Sequence, residues 1–171
     1  MHIFSKIRTF TTIALSLGFA LSSYQPPAFG QFSTANNTSS QPRIAVILNS
    51  GSASVSLIDM QSREVIKTVP VGKEPHHLMI TPDQKTLLIA NAAGNDVVLM
   101  NPTSGEITGR IPNIIDPYQI GYSPNHKWFV ANGNRLDRVD IYAASGADLK
   151  LAKTVKLPKT PSHIAFTADS K

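Results

Sequence analysis

The chain has 171 residues, of which 42% are hydrophobic, and its sixteen lysines and arginines outnumber eleven acidic residues to give a formal charge of +5 at pH 7. The hydrophobic content argues against a disordered chain, and a mildly basic balance does not require a nucleic-acid partner. Because the chain contains no cysteine, a disulfide scaffold, a lipid-modified cysteine and a covalently attached c-type haem are excluded.

Residues 1–30 are typical of an export signal. Lys6 and Arg8 give a positive start, residues 11–21 form an apolar core, and residues 28–30 (Ala-Phe-Gly) offer a small-x-small cleavage site. The core is too short for a stable membrane anchor, and the alternative, a buried N-terminal helix, has no apolar partner nearby. We therefore predict a signal peptide and a periplasmic or secreted protein, with no membrane span after cleavage.

The next segment, residues 31–42, is polar and shows no apolar periodicity, so we expect a flexible linker. Loss of the signal peptide removes two basic residues, which leaves fourteen against eleven acidic ones and a charge of about +3.

From residue 43 onward the chain repeats itself. Pro75, Pro117 and Pro161 recur at spacings of 42 and 44 residues, and Asn49, Asn91 and Asn132 each close an apolar run at spacings of 42 and 41. The apolar runs are 43–49, 55–59, 64–69, 76–80, 86–91, 97–101, 106–111, 118–122, 128–132, 138–142, 151–155 and 162–166.

These runs are short, rich in β-branched and aromatic residues, and separated by Gly, Pro, Asn and Asp, which predicts strands joined by tight turns. No stretch after residue 43 keeps an apolar helical face over three turns. Four antiparallel strands in a period of about 42 residues are typical of a β-propeller blade. We therefore predict an all-β fold in which neighbouring blades cover each other's apolar faces.

The repeats resemble the YVTN family of β-propeller repeats. The motif that names the family falls at residues 88–91 and 129–132 and, more loosely, at 46–49. No copy has the Tyr, and the first turn of each blade lacks the glycine of the family's common Asp-Gly-Lys, with Gln84, His126 and Ser170 at that position. The resemblance covers residues 43–171 and implies a larger propeller, of about seven blades, that is incomplete in this chain.

The predicted strands give one three-stranded blade, two complete blades and a further first strand at residues 162–166. A ring of three blades would leave large faces uncovered. The chain is then either the N-terminal part of a longer propeller, which its abrupt stop at a turn favours, or half of a homodimer in which exchanged terminal strands close a six-bladed ring. Both explanations predict that an isolated monomer exposes apolar faces and a sheet edge.

Candidate ligand-binding residues follow the repeating proline, because the first strand of a propeller blade lines the central channel. The first position holds His76, Tyr118 and Ser162, and the second holds His77, Gln119 and His163. Histidines on neighbouring inner strands are candidate metal ligands. We favour the alternative that any polar residue is tolerated at a wet channel mouth, since the third member is Gln and no carboxylate stands beside it in the motif.

A second candidate is the irregular loop 133–138, where Arg135 and Arg138 are predicted to bind an anion, although a local ion pair is the simpler interpretation. Lysines at 150, 153, 156 and 159 fall on or beside an outer strand, where lysine discourages edge pairing. Because no aromatic residues are interleaved with them, they give no strong nucleic-acid signal.

The sequence therefore favours an exported binding or scaffolding module that recognises an unknown small molecule or protein at the channel mouth. No catalytic residue, cofactor or nucleotide motif is predicted. The alternative is part of a propeller enzyme, since the resemblance extends to lactonases and to propellers of periplasmic oxidoreductases that are associated with haem or quinone.

Overall fold

The computed structural model describes residues 43–170, so the predicted signal peptide and linker lie outside the described residues. This part consists of strands, turns and one short 3-10 turn at Ser50–Ser52. The strands are β1 Ile44–Asn49, β2 Ser54–Asp59, β3 Glu64–Pro70, β4 Pro75–Ile80, β5 Leu87–Asn91, β6 Asp96–Met100, β7 Ile107–Pro112, β8 Pro117–Tyr122, β9 Trp128–Gly133, β10 Arg138–Ser145 and β11 Asp148–Lys156.

The strands form three antiparallel sheets in chain order, which are called blades 1 to 3. Blade 1 has the order β1-β2-β3, blade 2 the order β4-β5-β6-β7 and blade 3 the order β8-β9-β10-β11. Each strand pairs with its neighbour in sequence, as expected when short turns connect antiparallel strands. The predicted all-β fold, with one three-stranded and two four-stranded blades, is confirmed.

Strand β5 shows why the blades hold together. All five of its residues are buried, and its four apolar residues alternate between two hydrophobic cores. Leu87 and Ile89 pack against blade 1, whereas Leu88 and Ala90 pack against blade 3. Since complete burial of a Leu or Ile side chain stabilises a fold by about 1.5–3 kcal/mol, the faces between blades are the main source of stability.

Two cores lie between the blades. In blade 3, Phe129 is fully buried against blade 2, while its neighbour Trp128 points the other way and is 40% exposed. The core between blades 1 and 2 comprises Val55, Leu57, Val71, Leu87, Ile89, Val98 and Met100, and that between blades 2 and 3 comprises Leu88, Ala90, Val97, Ile114, Ile120, Phe129, Ala131 and Tyr142.

The structure corrects the alignment of Asn132 with Asn91. In blade 2, Asn91 lies opposite Pro75 and Asp96, whereas in blade 3 the residue opposite Pro117 and Arg138 is Gly133. Asn132 instead takes the position of Ala90. Equivalent residues of blades 2 and 3 are therefore 42 residues apart in the hydrogen-bond register, whereas aligning the two asparagines gave 41. A one-residue error matters because it assigns every side chain of a strand to the wrong face.

The predicted strand at residues 162–166 is also corrected, since this segment pairs with no strand in residues 43–170. It nevertheless lies against blade 3. A Cβ atom added to Gly121 in β8 would come within 3.4 Å of the Phe166 ring and 3.8 Å of Ile164. The segment has the packing of an inner strand but no neighbour to supply a hydrogen-bonded ladder.

Candidate functional site

The inner strands β4 and β8 bring the first pair of predicted site residues into direct contact. The ring of His76 stacks on that of Tyr118, with centroids 3.6 Å apart and planes inclined by 29°. The His76 Nδ1 atom also lies 3.0 Å from the Tyr118 backbone oxygen. These residues occupy equivalent positions 42 residues apart, so the repeat places an aromatic contact between adjacent blades where each inner strand begins.

The second pair, His77 and Gln119, occupies equivalent register positions, opposite Ala90 and Asn132. The Nδ1 atom of His77, the Oε1 atom of Gln119 and the Nδ2 atom of Asn132 are buried and make no hydrogen bond within the protein. A buried polar atom without a partner costs about 1–3 kcal/mol. A ligand or water that bonds to these atoms would recover much of that cost.

Burial is the main cause that lowers the pKa of His77 below its usual value, and the charges of His76 and His163 lower that pKa further. The neutral imidazole is therefore favoured near neutral pH, and it presents one donor and one acceptor nitrogen. Its electrostatic interaction with His163 also means that the two predicted metal candidates are near each other. Within residues 43–170, however, no group of three or more His, Asp or Glu side chains is arranged to hold a metal ion.

The third pair of predicted residues, Ser162 and His163, lies in the segment after β11. The Ser162 Oγ atom is 3.0 Å from the His163 Nδ1 atom, and the His163 side chain is exposed. The pair lies on a segment that has no ladder partner among the described residues.

Two carboxylates that the sequence analysis did not single out stand at the mouth, each directly before a repeating proline. Asp116 accepts hydrogen bonds from the Arg135 backbone N–H at 2.6 Å and from the Arg135 Nε at 3.0 Å. Glu74 accepts one from another nitrogen of the same guanidinium at 2.9 Å. No carboxylate was predicted beside the candidate residues, although the position of Glu74 and Asp116 directly before Pro75 and Pro117 was the signal that could have found them.

Both predicted anion-binding arginines have carboxylate partners. Arg135 bridges Glu74 and Asp116, and these hydrogen bonds raise the pKa of the guanidinium above its usual value. Arg138 pairs with Asp140 at 2.8 Å. The Asp116 side chain is only 5% exposed, and its pairing with Arg135 joins the β7–β8 connection to the β9–β10 turn, whereas Glu74 joins the same arginine to the start of blade 2. An incoming anion would have to compete with carboxylates that are already in place.

The residues before the repeating prolines share one backbone conformation. Glu74, Asp116 and Thr160, the residues before the prolines, all adopt a left-handed conformation, with φ of 55°, 51° and 54°. The Asn95 side chain accepts a hydrogen bond from the Asp116 N–H, and Asp137 accepts one from the Thr160 N–H, both at 2.9 Å. Beside these contacts lies a groove of about 440 Å³, lined by Ala92, Ala93, Asn95, Ile115, Asp116, Arg135 and Leu136.

Solved structures similar to this chain are propeller proteins with low sequence identity. Kuenenia stuttgartiensis hydrazine synthase matches with a TM-score of 0.60 and 21% identity, over 75% of this chain and 37% of that one. The Pseudomonas aeruginosa periplasmic gluconolactonase PpgL matches with a TM-score of 0.60 and 16% identity, over 71% and 38%. A Lactobacillus plantarum protein matches with a TM-score of 0.63 and 15% identity, over 75% and 45%.

Identities of this size establish the fold alone, and the chain spans less than half of each of these relatives. None of the curated proteins matches the chain. Among residues 43–170, no helix has the length and apolar character needed to cross a membrane. The family model for YNCE-like beta-propellers matches residues 6–171. Together with the repeated four-stranded blades, this match shows that the chain belongs to the YNCE-like β-propeller family.

Proposed function

We propose that this chain is the binding portion of an exported β-propeller and that it recognises a small, neutral, hydrogen-bonding molecule at the channel mouth. The observation that carries the proposal is the pair of unpartnered buried atoms, His77 Nδ1 and Gln119 Oε1, at equivalent positions on adjacent inner strands. Polar atoms placed in this way on a rigid scaffold are typical of small-molecule sites.

A neutral ligand is favoured by the charges at the site. His77 is biased toward its neutral form, and Gln119 carries no charge. The guanidinium of Arg135 is already bridged to Glu74 and Asp116. Hydroxyl groups, which donate and accept hydrogen bonds, would suit both an imidazole nitrogen and an amide oxygen.

The stacked pair of His76 and Tyr118 would serve as the apolar wall of the site. The proposal is supported by the positions of His76 and Tyr118 directly before His77 and Gln119 in the chain and by the stacking of their rings. Aromatic surfaces combined with a few polar groups are common where proteins bind ring-shaped neutral molecules. Ser162 and His163 would extend this surface along the third inner segment.

Export is the second part of the proposal. It rests on the positive start, the apolar core and the cleavage site in residues 1–30, and the name of the periplasmic gluconolactonase is consistent with it. Expression with and without residues 1–30, followed by fractionation and mass measurement, tests it. Retention of the full-length chain in the cytoplasm would contradict the prediction.

Binding can be tested by titrating the purified chain with neutral sugars and sugar lactones and, as matched anions, with the corresponding sugar acids, while the His77 imidazole signals are followed by NMR. We expect neutral compounds to shift these signals, and His77→Ala or Gln119→Ala to weaken binding at least tenfold. Lys85→Ala, in an exposed turn, is the control. Equal binding of the sugar acids would contradict the choice of a neutral ligand.

The second candidate is an enzyme, because Glu74 and Asp116 supply carboxylates directly before the prolines that precede His76 and Tyr118. Three of the similar structures bear lactonase names, and another is named as the dihydro-haem d1 dehydrogenase NirN. The ion pairs with Arg135 argue against a free catalytic carboxylate. Hydrolysis of gluconolactone by the purified chain, and its loss in Glu74→Gln, would favour the enzyme over the binding module.

A further inference from the structure

The guanidinium of Arg135 joins three connections of the chain. Arg135 lies in the turn between β9 and β10 of blade 3, Asp116 in the connection between β7 and β8, and Glu74 in the connection between β3 and β4. The Nε and Nη2 atoms of Arg135 contact one Asp116 oxygen at 3.0 and 2.9 Å, and the Nη1 atom donates to Glu74 at 2.9 Å. These three residues are called the Arg135 bridge.

The bridge completes a closed set of contacts between blades 2 and 3. The Glu74 carbonyl accepts a hydrogen bond from the Ala92 N–H at 2.9 Å, which attaches Glu74 to the β5–β6 turn of blade 2. The Asp116 N–H donates to Asn95 in the same turn at 2.9 Å, and Arg135 of blade 3 donates its own N–H to Asp116 at 2.6 Å. Among the described residues, the two blades share no strand pairing, so these contacts supply hydrogen bonds between sheets that no ladder connects.

Both carboxylates stand one residue before an inner strand. Glu74 precedes Pro75, the first residue of β4, and Asp116 precedes Pro117, the first residue of β8. Because the proline ring fixes φ near −65°, the backbone has little freedom between each carboxylate residue and the first side chains of its strand. Joining Glu74 to Asp116 through one guanidinium therefore fixes how far apart the two inner strands begin.

The side chains that meet where these strands begin are His76 and Tyr118. Their ring centroids are 3.6 Å apart, and the His76 Nδ1 atom lies 3.0 Å from the Tyr118 backbone oxygen. A gap of about 0.5–1 Å forfeits a quarter to a half of a van der Waals contact. The stacked pair therefore depends closely on the separation that the Arg135 bridge sets.

We propose that Arg135 is the positioning residue of the channel mouth, which holds blades 2 and 3 at the separation at which His76 and Tyr118 stack and does not itself touch the ligand. The effect on ligand affinity rests on the function proposed above, whereas the effect on ring stacking does not. The two arms of the bridge differ in exposure, since the Asp116 side chain is 5% exposed and that of Glu74 is 41% exposed. Salt therefore weakens the Glu74 arm, because screening acts mainly on exposed ion pairs.

This difference makes the site respond to ionic strength even when its ligand is uncharged. The Debye length falls from about 30 Å at about 0.01 M salt to about 3 Å at about 1 M. A neutral ligand carries no charge for salt to screen, so a fall in its affinity reports a change in the protein. We expect the affinity to weaken about two- to fivefold over this range, since exposed ion pairs contribute little more than that.

Ring stacking is measured first, by NMR and without any ligand. Glu74→Ala removes the exposed arm and leaves the buried pair of the bridge in place. We expect the NOEs between the His76 and Tyr118 rings to weaken and the His76 ring-proton shifts to move toward those of an unstacked imidazole. Arg135→Lys should do the same, because an ammonium group lacks the planar fork that contacts both carboxylates.

Two further variants show whether the bridge itself is responsible. Glu74→Gln keeps an oxygen that accepts a hydrogen bond from the guanidinium, so it should retain most of the stacking. Glu106→Ala removes a carboxylate from the exposed β6–β7 turn and is the matched control, which should leave both rings unchanged. Unchanged ring contacts in Glu74→Ala, or an equal loss in Glu106→Ala, would overturn the proposal.

The affinity for a neutral sugar lactone is then measured at both salt concentrations. Glu74→Ala should bind about two- to fivefold more weakly than the natural protein in low salt and lose nothing further in high salt, whereas Glu106→Ala should follow the natural protein. Equal salt dependence in Glu74→Ala and the natural protein would overturn the positioning role. Separated rings in Glu74→Ala with no binding of any neutral compound to the natural protein would support that role and contradict the proposed function instead.

Discussion

The Asn95 side chain accepts a hydrogen bond from the backbone N–H of Asp116 at 2.9 Å. Asp116 precedes a repeating proline and has a left-handed conformation, and Asp137 accepts the equivalent hydrogen bond from the N–H of Thr160. The equivalent position in blade 1 is Ala53, which has no acceptor to offer although its own φ is 52°. Blade 1 therefore lacks a contact that the other blades possess.

We predict that Ala53→Asn stabilises the protein by about 0.5–1.5 kcal/mol, the usual net value of one hydrogen bond. The new side chain would accept from the Glu74 N–H, and Asn tolerates the left-handed conformation better than Ala does. Urea unfolding of the two proteins measures the difference. Ala53→Gly removes the steric strain of the left-handed conformation without adding a hydrogen-bond acceptor. An equal rise in the free energy of unfolding in that variant would show that the new hydrogen bond contributes nothing.

The first turn of each blade gives a second prediction. Gln84, His126 and Ser170 adopt φ of 60°, 60° and 59° at the position where related repeats carry glycine. Since glycine enters this region without steric strain, Gln84→Gly and His126→Gly should each raise the free energy of unfolding by about 1 kcal/mol. Thermal unfolding checks this, with Lys85→Gly as the matched control that should destabilise.

Asn91 is fully buried and donates to the Val71 carbonyl at 3.0 Å and to Asp96 at 2.7 Å. Asn91→Ala should destabilise the fold by about 0.5–1.5 kcal/mol, the usual net value of one hydrogen bond, because Asp96 loses the Asn91 donor while the Val71 carbonyl still accepts from Arg110. Asn91→Asp should cost more at neutral pH, since it adds a negative charge beside Asp96. Urea unfolding ranks the variants, and a ranking with Asn91→Asp as the more stable of the two would contradict the contacts described.

The lowered pKa of His77 predicts a loss of stability in mild acid. The unfolded chain binds a proton near pH 6.5, whereas the folded chain resists it until a lower pH because burial and the nearby His76 and His163 oppose the charge. The unfolded state therefore binds more protons below about pH 6.5, and the free energy of unfolding falls as the pH drops through that window.

The variant His77→Gln isolates the contribution of His77 to this pH dependence, because it introduces the residue that blade 3 has at the equivalent position, Gln119. Its stability should fall less between pH 7.5 and 5.5 than that of the natural protein, as measured by urea unfolding at each pH. His126→Gln, at an exposed turn, should behave like the natural protein. Parallel losses in His77→Gln and the natural protein would remove His77 as the cause.

The repeat predicted the blades because a sheet that is buried on both faces needs apolar residues at regular intervals. Strand β5, which is buried throughout, shows this pattern. The register of blade 3 was missed because Asn91 and Asn132 both close an apolar run, and only pairing with Pro117 and Arg138 shows that they are not equivalent. The role of Asp116 was missed for a similar reason. Its partner, Arg135, lies 19 residues further along the chain in the turn between β9 and β10, and no local pattern in the sequence connects the two.

The third repeat is longer than the second by two residues, and these fall in the β10–β11 hairpin, the outermost turn of its blade. A propeller can absorb added length at its rim, because extra residues there extend away from the axis and leave the spacing of the innermost strands unchanged. We therefore expect the fold to tolerate a peptide tag or reporter loop inserted in the β10–β11 hairpin, and not to tolerate the same insertion before Pro117.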